Sequence, residues 1–154
     1  MDRSAVEVPV AALLKPLGFR KRRSTWHLLQ PETVLVVNVQ KSEFGPTCYL
    51  NLGVYLRALG PETTPPEYRC HIRTRLDRLP DDPSTLLAAL DLESGLSPEH
   101  RMSALREHVL DSAIPWLQAR ESEGKAREAL LAEEKPTDLV MLVAKQHLGI
   151  GGAA

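Results

Sequence analysis

The densest pattern of the chain lies between Val34 and Leu56, where VLVVNVQK and CYLNLGVYL flank the turn Glu43-Phe44-Gly45-Pro46. Val- and Leu-rich runs that alternate with polar residues predict two β-strands, Thr33 to Ser42 and Thr47 to Leu56, joined as a hairpin. Upstream, STWHLLQ (Ser24 to Gln30) reads as a strand that turns at Pro31-Glu32. Downstream, GPETTPPE is a loop, and YRCHIRTRL (Tyr68 to Leu76) alternates strictly, predicting a fourth strand.

Outside this region the period changes to that of helices. Residues 5–17 carry an apolar stripe of Ala11, Leu13, Leu14 and Leu17, with Ser4 as the candidate cap and Pro16 and Gly18 as stop signals. Arg20 to Arg23 reads as an exposed basic turn. After Pro80-Asp81-Asp82-Pro83, Ser84 to Leu92 is a short helix. Ser97-Pro98 opens a longer helix with Met102, Leu105, Val109 and Leu110 inward, which Pro115 should kink or break. Gly124 interrupts, Lys125 to Glu134 forms a charged helix, and Pro136-Thr137-Asp138 starts a last one, LVMLVAKQHL, apolar enough to be largely buried. Gly149 ends it, leaving a flexible tail over 149–154. The expected fold is therefore α+β in a single domain spanning 1–154. A four-stranded antiparallel meander over 24–76 follows one helix within 1–18, and several C-terminal helices, within 84–148, pack on the sheet.

Short turns fix register, so the two sheet faces can be read in advance. Gln40 falls opposite Tyr49, Asn38 opposite Asn51, Val36 opposite Gly53 and Val34 opposite Tyr55. His27 falls opposite Val36, and Thr25 near Asn38. If the fourth strand pairs with the third, Arg73 comes near Asn51, His71 near Gly53 and Arg69 near Tyr55. One face then holds Trp26, Leu28, Leu35, Val37, Val39, Cys48, Leu50, Leu52, Val54, Leu56, Cys70, Ile72 and Leu76, a core face. The other holds Thr25, His27, Asn38, Gln40, Tyr49, Asn51, Gly53, Tyr55, Arg69, His71, Arg73 and Arg75. Gly53 would leave a depression among them. The two cysteines are expected to be reduced and buried, about 20 Å apart along the third and fourth strands at ~3.3 Å per residue, too far for a disulfide.

Composition narrows the function classes. The formal net charge is −1, which argues against a general nucleic-acid binder. The charge is uneven: KPLGFRKRR is basic, and Arg69 to Arg78 holds four arginines and a histidine. No apolar run is long enough for a membrane span, and the first residues do not read as a secretory signal, so a cytoplasmic location is expected. No metal-ligand spacing, phosphate loop or nucleophile elbow occurs, so neither a metal nor a cofactor is expected.

What remains is the polar face. Asn and Gln side chains match peptide groups, and arginine forks match carboxylate or phosphate. Asn38, Gln40, Tyr49, Asn51, Gly53, Tyr55, His71 and Arg73 are the expected ligand-binding residues, for a protein segment or a small anionic ligand. The alternative is a hydrolase acting on a phosphate ester or amide, with His27 or His71 as acid–base and Arg73 as the anion clamp.

LLKPLGFRKRRSTWHLLQ, VVNVQKSEFGPTCYLNLGVYL and EYRCHIRTRL, in that order and spacing, resemble the bacterial family catalogued as domain of unknown function 4304. The matching positions are Leu14 to Lys21, Trp26, Asn38 to Ser42, Asn51 to Val54 and Arg69 to Leu76. The resemblance implies an α+β domain and transfers no catalytic residue. The expectation is thus a small bacterial binding module.

Overall fold

The Pro31-Glu32 and Glu43-to-Pro46 turns set the register as the pattern predicts. In the computed structural model, which describes residues 2–133 and 138–151, strands β2 (Thr25–Leu29), β3 (Thr33–Lys41) and β4 (Cys48–Leu56) form an antiparallel meander. Thr25 pairs with Asn38, His27 with Val36, Asn38 with Asn51, Gln40 with Tyr49 and Val36 with Gly53.

The sheet has six strands among the described residues, not four. β1 (Arg20–Arg22) precedes β2 at one edge, and β6 (Leu139–Val140) follows β5 (Ile72–Arg75) at the other. β1 lies within the segment read as a basic turn; three exposed cations show no alternation, and only pairing with β2 makes them a strand. β6 was expected to be helical. An apolar run has no period of its own, and pairing with Ile72 and Arg73 draws Leu139 and Val140 into the sheet.

β5 is shorter than predicted. Residues Glu67–Arg69 form a single 3₁₀ turn, so the strand begins at Ile72. The register against β4 moves by two: Arg73 faces Gly53, and Arg75 takes the expected place of Arg73 opposite Asn51. A slip of two keeps side chains on their faces. Cys70, before the strand, does not keep its face: it lies with Val34, Val36 and Tyr55 on the outer side. Both cysteines are free and buried.

The inner face is covered by helices α1 (Ser4–Leu14), α2 (Ser84–Leu90), α3 (Pro98–His108) and α4 (Ile114–Gln118). Trp26, Leu35, Leu50, Leu52, Val54 and Ile72 pack there against Val10, Leu14, Leu86, Leu105 and Leu117. Each such side chain contributes about 1.5–3 kcal/mol on burial. Ser4 lies inside α1 rather than capping it: Arg3 holds the cap position, and the Asp2 Oδ1 accepts the Ser4 N–H at 2.9 Å. Ser97 caps α3 as expected, accepting the His100 N–H at 3.1 Å. Pro115 has no N–H to give, and the helix meets it with one π turn, Val109–Ala113, rather than ending.

α5 (Glu123–Ala132) starts before Gly124, because Ser122 caps it and the glycine sits in its first turn. α6 (Leu142–Leu148) closes on Gly149 at φ 69°, the left-handed conformation glycine tolerates. The expected helix start at Pro136-Thr137, the end of the charged helix at Glu134, and the tail residues Gly152, Ala153 and Ala154 lie outside the described residues. The last apolar segment is not largely buried, contrary to expectation: Leu142 is 69% exposed, and Leu139, Met141 and Val143 are also exposed. It lies at the sheet edge rather than under the sheet.

A buried ion cluster ties this segment to the helices. The Arg120 guanidinium is 3.1 Å from Asp138 and 2.8 Å from Glu133, and it stacks 4.4 Å from the Trp116 ring centre. Asp138 also accepts the Trp116 indole N–H at 3.1 Å. The Asp138 side chain has no exposed surface. Burial, then the hydrogen bond that a protonated Glu133 donates to Asp138, raise the Glu133 carboxyl above its ordinary value. Breaking a buried pair strands the remaining charge. Asp138→Ala should therefore lower the unfolding free energy by about 3 kcal/mol, measured by urea titration; a loss below about 1 kcal/mol would show the cluster to be dispensable.

Candidate functional site

The outer face is two regions rather than one polar plane. At one end the register aligns Thr25, Asn38, Asn51 and Arg75 in a row across four strands, beside Gln40 and Tyr49. At the other end Val34 and Val36, on the same face by alternation, need cover. Residues 57–71 supply it by folding back over the sheet.

Four contacts seat this loop. Cys70 fills the place a side chain at Gly53 would take: a Cβ there would stand 2.7 Å from Cys70 Sγ and 2.8 Å from Cys70 Cβ. The depression expected at Gly53 is therefore filled. Gly60 likewise lets the Tyr55 hydroxyl approach, at 2.0 Å from where its Cβ would be. His71 Nδ1 accepts the Leu56 N–H at 2.9 Å, with its ring 4.6 Å from that of Tyr55. His27 Nε2 donates to the Pro65 carbonyl at 2.7 Å. Burial pushes both imidazoles below their ordinary value, so both are neutral at neutral pH. Burial also pushes the Cys70 thiol far up, leaving it protonated.

Of the expected site residues, Gly53, Tyr55 and His71 thus lie under the loop, where they hold it. Asn38, Gln40, Tyr49 and Asn51 lie beside it, with Arg73 at its margin. The amides form a connected chain. Asn51, 6% exposed, donates to Asn38 Oδ1 at 3.0 Å and to Gln40 Oε1 at 2.9 Å. Asn38 donates in turn to Thr25 Oγ1 at 3.0 Å and the Ser24 carbonyl at 3.3 Å. Arg75 stacks 4.1 Å from the Tyr49 ring centre. The Arg73 fork is engaged with Glu67, Nε to Oε1 at 2.8 Å and a terminal nitrogen to Oε2 at 3.1 Å. That pairing holds Arg73 firmly charged and takes up the fork expected to clamp an anion.

Between the sheet and the loop runs a groove of about 670 Å³. Thr25, His27, Asn38 and Gln40 line its floor, Arg22 and Arg23 one rim, and Thr64, Pro66, Glu67, Tyr68 and Arg73 the other. The pattern does not reveal Arg22 and Arg23, because three exposed cations without alternation read as a turn. Nor does it reveal Glu67 and Tyr68, because a 3₁₀ turn breaks the alternation. Val34 and Val36 were the available signal, since two valines on an otherwise polar face require a cover. Arg23 has φ 58°, the left-handed region, and turns the chain between β1 and β2. Among the described residues, no group of three or more His, Cys, Asp or Glu side chains could hold a metal ion, and no helix is long and apolar enough to cross a membrane.

The sequence pattern of the family described as domain of unknown function (DUF4304) matches residues 10–119. The chain belongs to this family. No curated protein and no solved structure matches it. The DUF4304 match contains the strands from β1 to β5 and every residue of the groove, while β6 and α6 lie beyond it.

Two outcomes test how the DUF4304 loop is seated. Gly53→Ala should cost about 1–3 kcal/mol through overpacking. In a double-mutant cycle with Cys70→Gly, which removes the opposing atoms, the two changes should couple by about 1 kcal/mol or more; additive effects would exclude the contact. The histidines give a pH dependence. Their folded values lie below the ordinary 6.5, so the unfolded chain takes up protons first as the pH falls. Stability should be full well above that value and decline as the pH falls through it toward the lower folded values. Replacing His27 and His71 by Gln should flatten the decline in urea midpoints. An unchanged slope would reject the assignment.

Proposed function

We propose that this protein is a non-catalytic binding module that holds a segment of another protein in the outer-face groove. The observation that carries the reading is the pair of amides Asn38 and Gln40 on the groove floor, both held in place by hydrogen bonds from the buried Asn51 beside it. Amide side chains offer a donor and an acceptor side by side, as a peptide group does. Gln40 is exposed, and its amide nitrogen has no protein partner among the described residues. The Arg73 fork is not free to clamp a compact anion, because Glu67 already pairs with it. The loop also commits one nitrogen of each histidine to a backbone group, which favours a structural role for both over acid–base chemistry. The groove is held by contacts on both walls, so little ordering is required on binding.

Selection of a random peptide library against the wild-type protein tests this. Enriched peptides should bind Asn38→Ala/Gln40→Ala at least about tenfold more weakly, a difference of about 1.4 kcal/mol. Circular dichroism and the urea midpoint should show that variant to be folded. Failure to enrich any peptide, or equal binding to the variant, would overturn the reading.

A further inference from the structure

The sheet ends in two unlike edges. β6 carries Leu139 and Val140, and β1 carries Arg20, Lys21 and Arg22, followed by Arg23 in the turn. An edge strand presents backbone N–H and C=O groups that its own sheet does not use. All three β1 residues are exposed, and a second groove of about 520 Å³ runs beside them, lined also by Gly18, Leu28 and Thr64. It meets the polar groove at Arg22, His27 and Thr64, which line both.

The cations here are scarcely neutralised. The side chains of Arg20 and Arg23 make no hydrogen bond or ion pair among the described residues, and the Arg22 guanidinium donates only to the neutral Thr64 hydroxyl, at 2.9 Å. Lys21 is 3.9 Å from Glu7, with its ammonium 5.7 Å over Trp26. Pairing of Arg20 with His27 and of Arg22 with Thr25 puts both arginines on the outer face, and Lys21 on the inner one. Like charges placed opposite each other across strands are unfavourable and opposite charges favourable. This edge therefore repels a second copy of itself and suits an acidic strand.

We propose that β1 is a docking edge to which an extended acidic segment of a partner protein adds as a further strand. Its Asp or Glu residues occupy alternate positions facing Arg20 and Arg22. Backbone hydrogen bonds then supply affinity, and the alternate carboxylates supply register. This inference names the partner for the binding reading above and rests on it.

The test uses two fluorescent peptides of one composition against the whole chain: Thr-Glu-Val-Glu-Thr-Glu-Val and the block isomer Glu-Glu-Glu-Thr-Thr-Val-Val. The alternating peptide should bind at least about tenfold tighter, and a central proline should abolish the difference. Arg20→Glu/Arg22→Glu should remove binding. At least one amide within Arg20–Arg22 should exchange more slowly in the complex. Equal affinity for the two isomers, binding unchanged by the double charge reversal, or no binding by either isomer overturns the edge proposal. Tighter binding of an oligothymidylate of equal charge overturns it as well. In each of these cases the library selection with Asn38→Ala/Gln40→Ala still decides the groove reading separately.

Discussion

The outer half of this fold depends on the absence of a side chain at Gly53. Val34 and Val36 are fully buried on the face turned away from the helices, and they need a lid. A lid can come close enough only where the sheet itself is low, and Cys70 enters at Gly53. With a Cβ there, the backbone near Cys70 would have to lift, and His71 would lose its hold on the Leu56 N–H. Two buried valines contribute about 3–6 kcal/mol between them, a large share of what a small domain has in hand.

The groove inherits its shape from that contact. Its loop-side wall is Thr64, Pro66, Glu67 and Tyr68, residues of the segment that Gly53 admits. Glu67 reaches back to Arg73 on β5, so the wall is fixed to the sheet at a second point. A partly buried ion pair of this kind contributes little net stability, but losing one partner would leave the other charge poorly solvated. It therefore acts chiefly on geometry, holding the wall apart from the amide floor. The groove is what remains where the lid stops, at the row of Thr25, Asn38 and Asn51.

Much of this was legible in the residues, and the failures have physical causes. Turns of two and four residues leave a hairpin almost no choice of register, so the pairs from Thr25–Asn38 to Gln40–Tyr49 could be read directly. The link from Leu56 to Ile72 is long, and length relaxes that constraint. YRCHIRTRL alternates throughout, yet its first residues curl into a 3₁₀ turn, since Glu67–Arg69 must bend for Cys70 to reach Gly53. Periodicity cannot report a bend whose reason lies on another strand. The same holds for β1 and β6, each defined by its neighbour rather than its own pattern.

The two edges then acquire different meanings. An antiparallel sheet that does not close must protect both ends. At the β5 side, β6 pairs along the edge, and the Arg120–Asp138–Trp116 cluster anchors the residue just before it to the helical layer. At the β1 side the protection is charge alone. Charge excludes copies of the same edge but not strands of opposite sign, so it makes the edge selective rather than closed. The chain is nearly neutral overall, so this selectivity is local: among the described residues, no acidic side chain forms an ion pair with Arg20, Arg22 or Arg23. Arg22 belongs at once to this edge and to the rim of the polar groove. Under the proposed binding reading, a segment added along β1 would continue toward the amide floor, because Arg22, His27 and Thr64 line both grooves.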